Sequence, residues 1–384
     1  MMQSTNTSIM AGAHQVQTNH AKMVDWSTLA RAIAAAYWPL WSMVLLHAIA
    51  TQGWIALHDG VGISWEGLLS GLAAFLFILL LVFVIWRMTS YLVREMPHSP
   101  LRALWRDLRD FLTNPARRIS LLALFPAAYL FFTFFTQFKD NIALLNPFSW
   151  DERLMRLDAW LHGGKHPWEW LFPLFSSAPA TLFINVAYHV WFLVMFGTIL
   201  WAISQRQPKQ DALRYLIAFM LTWGIGGGLL AYVFSSAGPV YYGRLGLQGD
   251  PYAPLMEHLR SIGQVVPVWA LDVQETLWAG YQAGDMSLGG ISAFPSMHNA
   301  QAMLMVLMGW RFGHRTGWAF TAFAAIIAVG SVWLGWHYAV DAYAGIAIAL
   351  ACWWAAAPLA RWMMCRPAMQ QLVALQQTLD NGRL

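Results

Sequence analysis

Apolar residues gather into eight long blocks, at 32–57, 67–88, 119–137, 181–203, 214–234, 297–313, 317–337 and 339–358. A helix needs roughly 20 apolar residues to cross a bilayer, so the pattern predicts an all-α polytopic membrane protein with about eight transmembrane helices. The sixth block is short, with Arg311 marking one end and PSMH the other. Between the second and third blocks, PLRALWRDLRDFL sets Leu101, Leu104, Leu108, Phe111 and Leu112 on one helical stripe, with Arg102, Arg106 and Arg109 opposite. That segment reads either as an interfacial helix on an anionic leaflet or as a solvated connector.

Composition agrees with lipid as the solvent. Of 384 residues, 58% are hydrophobic and only 11% charged, with 23 tryptophans, and the mean hydropathy is +0.46. These values exclude an ordinary soluble domain. Residues 1–30 are polar and lack a secretory cleavage pattern, so the first block is expected to persist as a helix. With a cytoplasmic N-terminus, 17 of the 23 Lys and Arg fall on inside segments. The other six, Lys139, Arg153, Arg156, Lys165, Arg244 and Arg260, fall in two long outer loops, 139–180 and 235–292. Positive charge favours the inside, which predicts a multi-pass protein of the cell (inner) membrane with both termini cytoplasmic. Outer loops this long are expected to cover something. Cys352 and Cys365 are too few for a disulfide framework or a thiolate metal cage.

Candidate chemistry begins at AFPSMHNAQA, where the sixth block opens. Pro295 suits a first helical turn, and Ser296 and His298 then sit at the positive end of that helix, where an anion is welcome. The sixth block descends and the seventh climbs back, carrying GSVWLGWHYAVDAYAG to the same outer surface. A helical hairpin turns the 39 residues between His298 and His337 into proximity, and Asp341 follows His337 at the i, i+4 spacing of a continuous helix. Two imidazoles and a carboxylate at one depth suit phosphoryl transfer. Asp341 would fix the His337 tautomer, His337 would attack phosphorus to give a phosphohistidine, and His298 would act as acid and then base. Backbone N–H groups near Ser296 and Met297 are candidate phosphate ligands. The same residues read otherwise as a structural pair within a non-catalytic transporter or scaffold. His47 and His189 read as structural histidines, and the glycines of WGIGGGLLAY as close helix packing.

FPSMH followed by HYAVD resembles the second and third motifs of the type 2 phosphatidic acid phosphatase superfamily, especially its inositolphosphotransferase and inositol phosphorylceramide synthase-like branch. The resemblance covers roughly residues 119–358. It implies a six-helix catalytic bundle at 119–358, preceded by a cytoplasmic tail at 1–30 and two helices with the amphipathic segment at 31–118, and followed by a cytoplasmic tail at 359–384. It further implies a metal-independent, cofactor-free lipid phosphatase or head-group phosphotransferase of phospholipid or sphingolipid metabolism. The site would lie on the extracytoplasmic side, with His337 as nucleophile, Asp341 as its partner and His298 as acid. The implied partners are a lipid phosphate, a hydroxyl-bearing acceptor in the transferase case, and the membrane, with no nucleic acid. Ser331 stands where the broad superfamily has a phosphate-binding arginine, a substitution usual in the named branch. The first motif, a lysine followed by Arg-Pro, is absent as written. SSAGPVYYGRL, with Gly238, Pro239 and Arg244, resembles the branch's outer-loop element, and Lys139 is a second candidate cation. Arg244 and Lys139 each read as a phosphate contact or as an ordinary loop charge.

Overall fold

The computed structural model describes residues 26–284 and 289–381, and among them every regular element is a helix. The greater part of the expected tail at 1–30 therefore lies outside the described residues. In chain order the first elements are α1 (Trp26–Leu57), α2 (Trp65–Ser90, extended by a π-helical turn Tyr91–Glu95), α3 (Pro100–Thr113) and α4 (Pro115–Leu145). Next come α5 (Asp151–Leu161), α6 (Pro167–Phe175), α7 (Ala178–Ile203) and α8 (Gln210–Val233). The remainder are α9 (Ala253–Gly263), α10 (Trp269–Ala283), α11 (Met297–Phe312), α12 (His314–Trp333), α13 (Ala339–Cys365) and α14 (Pro367–Asp380). Local chemistry marks their starts. Ser64 Oγ accepts the Gly67 N–H at 3.0 Å to cap α2, and Asn114 Oδ1 accepts the Arg117 N–H at 2.8 Å to cap α4. Proline stands in the first turn of α3, α4, α6 and α14, where its missing N–H costs no intrahelical bond.

Among the described residues, α1, α2, α4, α7, α8, α12 and α13 are long and apolar enough to cross a membrane. The remaining expected span is α11, whose sixteen residues make a rod of about 24 Å. This short helix is the centre of the bundle, packed against α7, α8, α12 and α13. Missing side chains let its neighbours approach. A Cβ on Gly309 would lie 2.5 Å from the Phe320 ring, one on Gly317 2.5 Å from Trp310, and one on Gly345 2.3 Å from the Ser296 carbonyl oxygen. In α8 the glycine run lies in a π-helical stretch, Thr222–Leu230, and Gly226 and Gly227 back directly onto Met297.

The two N-terminal helices share the bundle's core. Phe75 of α2 makes edge contacts with Phe125 of α4 and Phe196 of α7, and Tyr129 donates to the Leu68 carbonyl. The apolar stripe of α3 is divided: Phe111 packs on Phe83, while Leu101 and Leu112 stay exposed. Two sequence boundaries need correction. The last span does not end at 358: α13 runs to Cys365, and within the stretch expected as a tail α14 buries Met369 and Leu372 and ties Gln376 Nε2 to the Ala116 carbonyl at 2.7 Å. The two long loops at 139–180 and 235–292 contain α5, α6, α9 and α10 among their described residues. The seventh span ends at Trp333, so His337 lies in a turn between α12 and α13 and not on a helix.

Candidate active site

The turn that carries His337 is set by its own backbone. Gly335 adopts φ +74°, and a Cβ there would meet Met256 Sδ at 2.8 Å. The chain then folds back, so that the His337 N–H donates to the Ser331 carbonyl at 2.9 Å. Asp341 enters in the first turn of α13, wholly buried, and its Oδ2 accepts the Tyr338 N–H at 3.1 Å. That same oxygen lies 3.4 Å from His337 Nδ1. The pair is thus formed across a helix start. The i, i+4 stacking expected of a continuous helix is replaced by capping geometry.

His298 is delivered by the first turn of α11 into an aromatic box made by α7. Its ring stacks on Tyr188 at 4.4 Å between centroids and lies tilted against Trp191 at 4.2 Å, and Trp191 Nε1 donates to the His298 carbonyl at 3.1 Å. The structure brings the two histidines together, with 6.0 Å between ring centroids. One tetrahedral group can meet both rings at that separation. The Tyr188 hydroxyl is buried beside them without a protein partner.

Ser296 turns out to be committed to the fold. Its N–H donates to the Asp341 carbonyl at 3.0 Å, so the backbone donor is not left for a phosphate, and its Oγ accepts from Asn299 Nδ2 at 3.0 Å. The Met297 amide belongs to the open first turn of α11, where N–H groups lack intrahelical acceptors. Ser331 is likewise structural, accepting from Asn299 Nδ2 at 3.1 Å and donating to the Ala328 carbonyl at 2.8 Å. It joins α11 to α12.

Gly238 and Pro239 lie against the His337 turn. Gly238 has φ +98°, a Cβ on it would sit 2.6 Å from the Trp336 carbonyl oxygen, and the Val240 N–H donates to the Gly335 carbonyl at 2.9 Å. They brace the turn. Arg244 is elsewhere: its guanidinium pairs with Glu275 and lies over the Trp278 ring, with no contact to His298, His337 or Asp341. Lys139, near the end of α4, donates to the Gly290 carbonyl, and its charge is within electrostatic reach of His298.

Sequence reasoning missed two buried carboxylates on α5. Asp151 accepts from the N–H groups of Ala237 (2.9 Å) and Gly238 (2.8 Å) and from the Tyr338 hydroxyl (2.9 Å). Asp158 accepts from the N–H groups of Ala339 (3.2 Å) and Val340 (3.0 Å), capping α13 from outside its own chain segment. Burial pushes both carboxyls above the ordinary carboxylate range, and their N–H donors pull part of that back. The available signal was the seven-residue spacing of the two aspartates in SWDERLMRLDAW, which puts both on one helical face. Among the described residues, no group of three or more His, Cys, Asp or Glu side chains is placed to hold a metal ion.

A family model for the PAP2 superfamily matches residues 152–355. The match takes in His298, His337, Asp341 and Asp158 and begins just after Asp151. No curated protein and no solved structure matches the chain.

Proposed function

The chain belongs to the PAP2 superfamily, and on that premise we propose that it is a lipid phosphatase or head-group phosphotransferase working through a phosphohistidine. One observation carries the reading: two imidazoles whose centroids are 6.0 Å apart, one of them 3.4 Å from a wholly buried carboxylate. In the first half-reaction His337 Nε2 forms the bond to phosphorus while the phosphorus–oxygen bond to the lipid breaks, and His298 gives its proton to the departing oxygen. Asp341 faces Nδ1 and stabilises the imidazolium that forms. In the second half-reaction water, or the hydroxyl of an acceptor, gives its proton to His298 and attacks phosphorus. The phosphorus–nitrogen bond breaks and both histidines return to their starting states. The Met297 amide and Lys139 are the groups assigned to the phosphate oxygens. Arg244 enters that role only if it leaves Glu275.

Water as acceptor makes a phosphatase, and a lipid or polyol hydroxyl makes a transferase. The form of FPSMH and HYAVD, with Ser331 in place of arginine, favours the inositolphosphotransferase-like branch. The distribution of Lys and Arg favours cytoplasmic termini and an extracytoplasmic site in the cell (inner) membrane. The test incubates full-length protein with phosphorus-labelled phosphatidic acid, with and without inositol, and traps acid-labile phosphoprotein. Label is expected on His337 and absent from His337→Asn, while His298→Ala slows turnover by about 10² to 10⁴. Turnover that persists in His337→Asn would overturn the assignment.

A further inference from the structure

A cavity of about 980 Å³ lies at the end of the bundle opposite the two histidines. Its position follows from α7, whose start is tied to the end of α12 by the Trp333 Nε1 bond to Thr181 Oγ1 (3.1 Å). The other end of α7 carries Trp201, which packs on Phe312, the last residue of α11, with centroids 4.8 Å apart. Phe83 and Trp86 of α2, Gly197 and Trp201 of α7, and Phe320 of α12 make an apolar wall. Gly197 opens the seam between α2 and α7, since a Cβ there would have only Val82 in contact, at 3.5 Å.

The mouth of this cavity is cationic. Arg117, Arg206 and Lys209 line it. Arg117 is held in place, with Nε donating to the Ser204 carbonyl at 3.0 Å and the guanidinium 4.4 Å above the Phe111 ring. It is near enough to Arg206 for the two charges to repel, and Asp380 offsets them from one side, accepting from Arg206 at 3.4 Å and from Asn114 at 3.0 Å. Three cations facing one carboxylate leave a net positive entrance to an apolar wall. That combination is complementary to an amphiphile with an anionic head and an acyl chain.

The neighbouring α3 indicates where such an amphiphile comes from. Phe111 of α3 lines the cavity, while Leu101, Trp105 and Leu112 of the same helix are 77%, 69% and 52% exposed. An amphipathic helix with aromatic and aliphatic side chains turned away from its protein rests in a membrane interface. The mouth therefore stands at headgroup height, and lipid of that leaflet reaches it by lateral diffusion. We propose that this cavity is a binding site for one anionic phospholipid, its phosphate on Arg117, Arg206 and Lys209 and an acyl chain along α7. The site is separate from the histidine pair, so its occupant is a resident lipid and not the molecule undergoing phosphoryl transfer.

The test reconstitutes full-length protein into phosphatidylcholine nanodiscs containing a minor fraction of phosphatidylglycerol, exchanges it into phosphatidylcholine micelles, and counts retained lipid by native mass spectrometry. Wild type is expected to retain a single phosphatidylglycerol. The exposed double variant Arg206→Ala/Lys209→Ala should lower retention roughly tenfold, the loss of about one charge-assisted contact. Arg102→Ala/Arg109→Ala, which removes cations of α3 outside the cavity, should leave retention unchanged, as should added inorganic phosphate. Equal retention in the Arg206/Lys209 variant, an equal loss in the α3 variant, or displacement by inorganic phosphate would each refute the site.

Discussion

Asp158 reaches from α5 to the first N–H groups of α13, 181 and 182 positions away in sequence, and Asp151 ties the loop at Ala237 and Gly238 to Tyr338. Both are carboxyls that burial makes harder to ionise. A carboxyl whose pKa is higher in the fold than its unfolded value of about 3.9 holds its proton more tightly when folded. Its contribution to stability is present below the unfolded pKa and is lost as pH rises through the folded one. Asp158→Asn fixes a neutral side chain of the same shape. In detergent, the melting temperature of Asp158→Asn relative to wild type should therefore move in the variant's favour as pH rises across that window. A relative gain by wild type would mean that its N–H donors outweigh burial. His298, His337 and Asp341 were legible because short motifs and a hairpin's arithmetic bring them together. Asp151, Asp158 and Tyr188 were not, because their partners lie more than 80 positions away, and the one local sign, the seven-residue spacing of the two aspartates, names no partner.

At the scale of elements, the apolar blocks foretold the long helices because a bilayer demands continuous hydrophobic length. The short ones escaped: α5, α9 and α14 alternate charged or amide side chains with apolar ones, and in the sequence such segments look like loops. The break at residues 334–338 was also hidden, since WLGWHY is as apolar as the helices around it and only Gly335 marks it. The contact between α11 and α13 depends on Gly345, whose absent side chain leaves room for the Ser296 carbonyl. Gly345→Ala should push the start of α11, and with it His298, away from α13. Overpacking of this kind costs about 1–3 kcal/mol. We expect a lowered melting temperature and a fall in kcat exceeding the loss of folded protein, measured on the fraction that remains monodisperse. Unchanged kcat in that fraction would show that the histidine pair tolerates the displacement.

For the molecule as a whole, the membrane class, the helical architecture and the superfamily were readable from composition and two motifs. The sharing of one core by α1, α2 and the later helices was not, because ring contacts such as Phe75 with Phe196 join segments with no common pattern. The shortness already visible in the sixth apolar block carries through to α11, the helix at the centre of the bundle. Its length of about 24 Å falls short of the roughly 30 Å hydrocarbon thickness of a typical bilayer. If the Phe312 end rests at one boundary, the imidazole at the other end is sunk about 6 Å beneath the opposite one. Surrounding lipid must then dimple inward, or a substrate headgroup must be drawn down before it can react. Turnover should consequently be fastest in short-chain phosphatidylcholine nanodiscs and slow progressively as acyl chains lengthen, with hydrophobic mismatch acting as a brake on the enzyme.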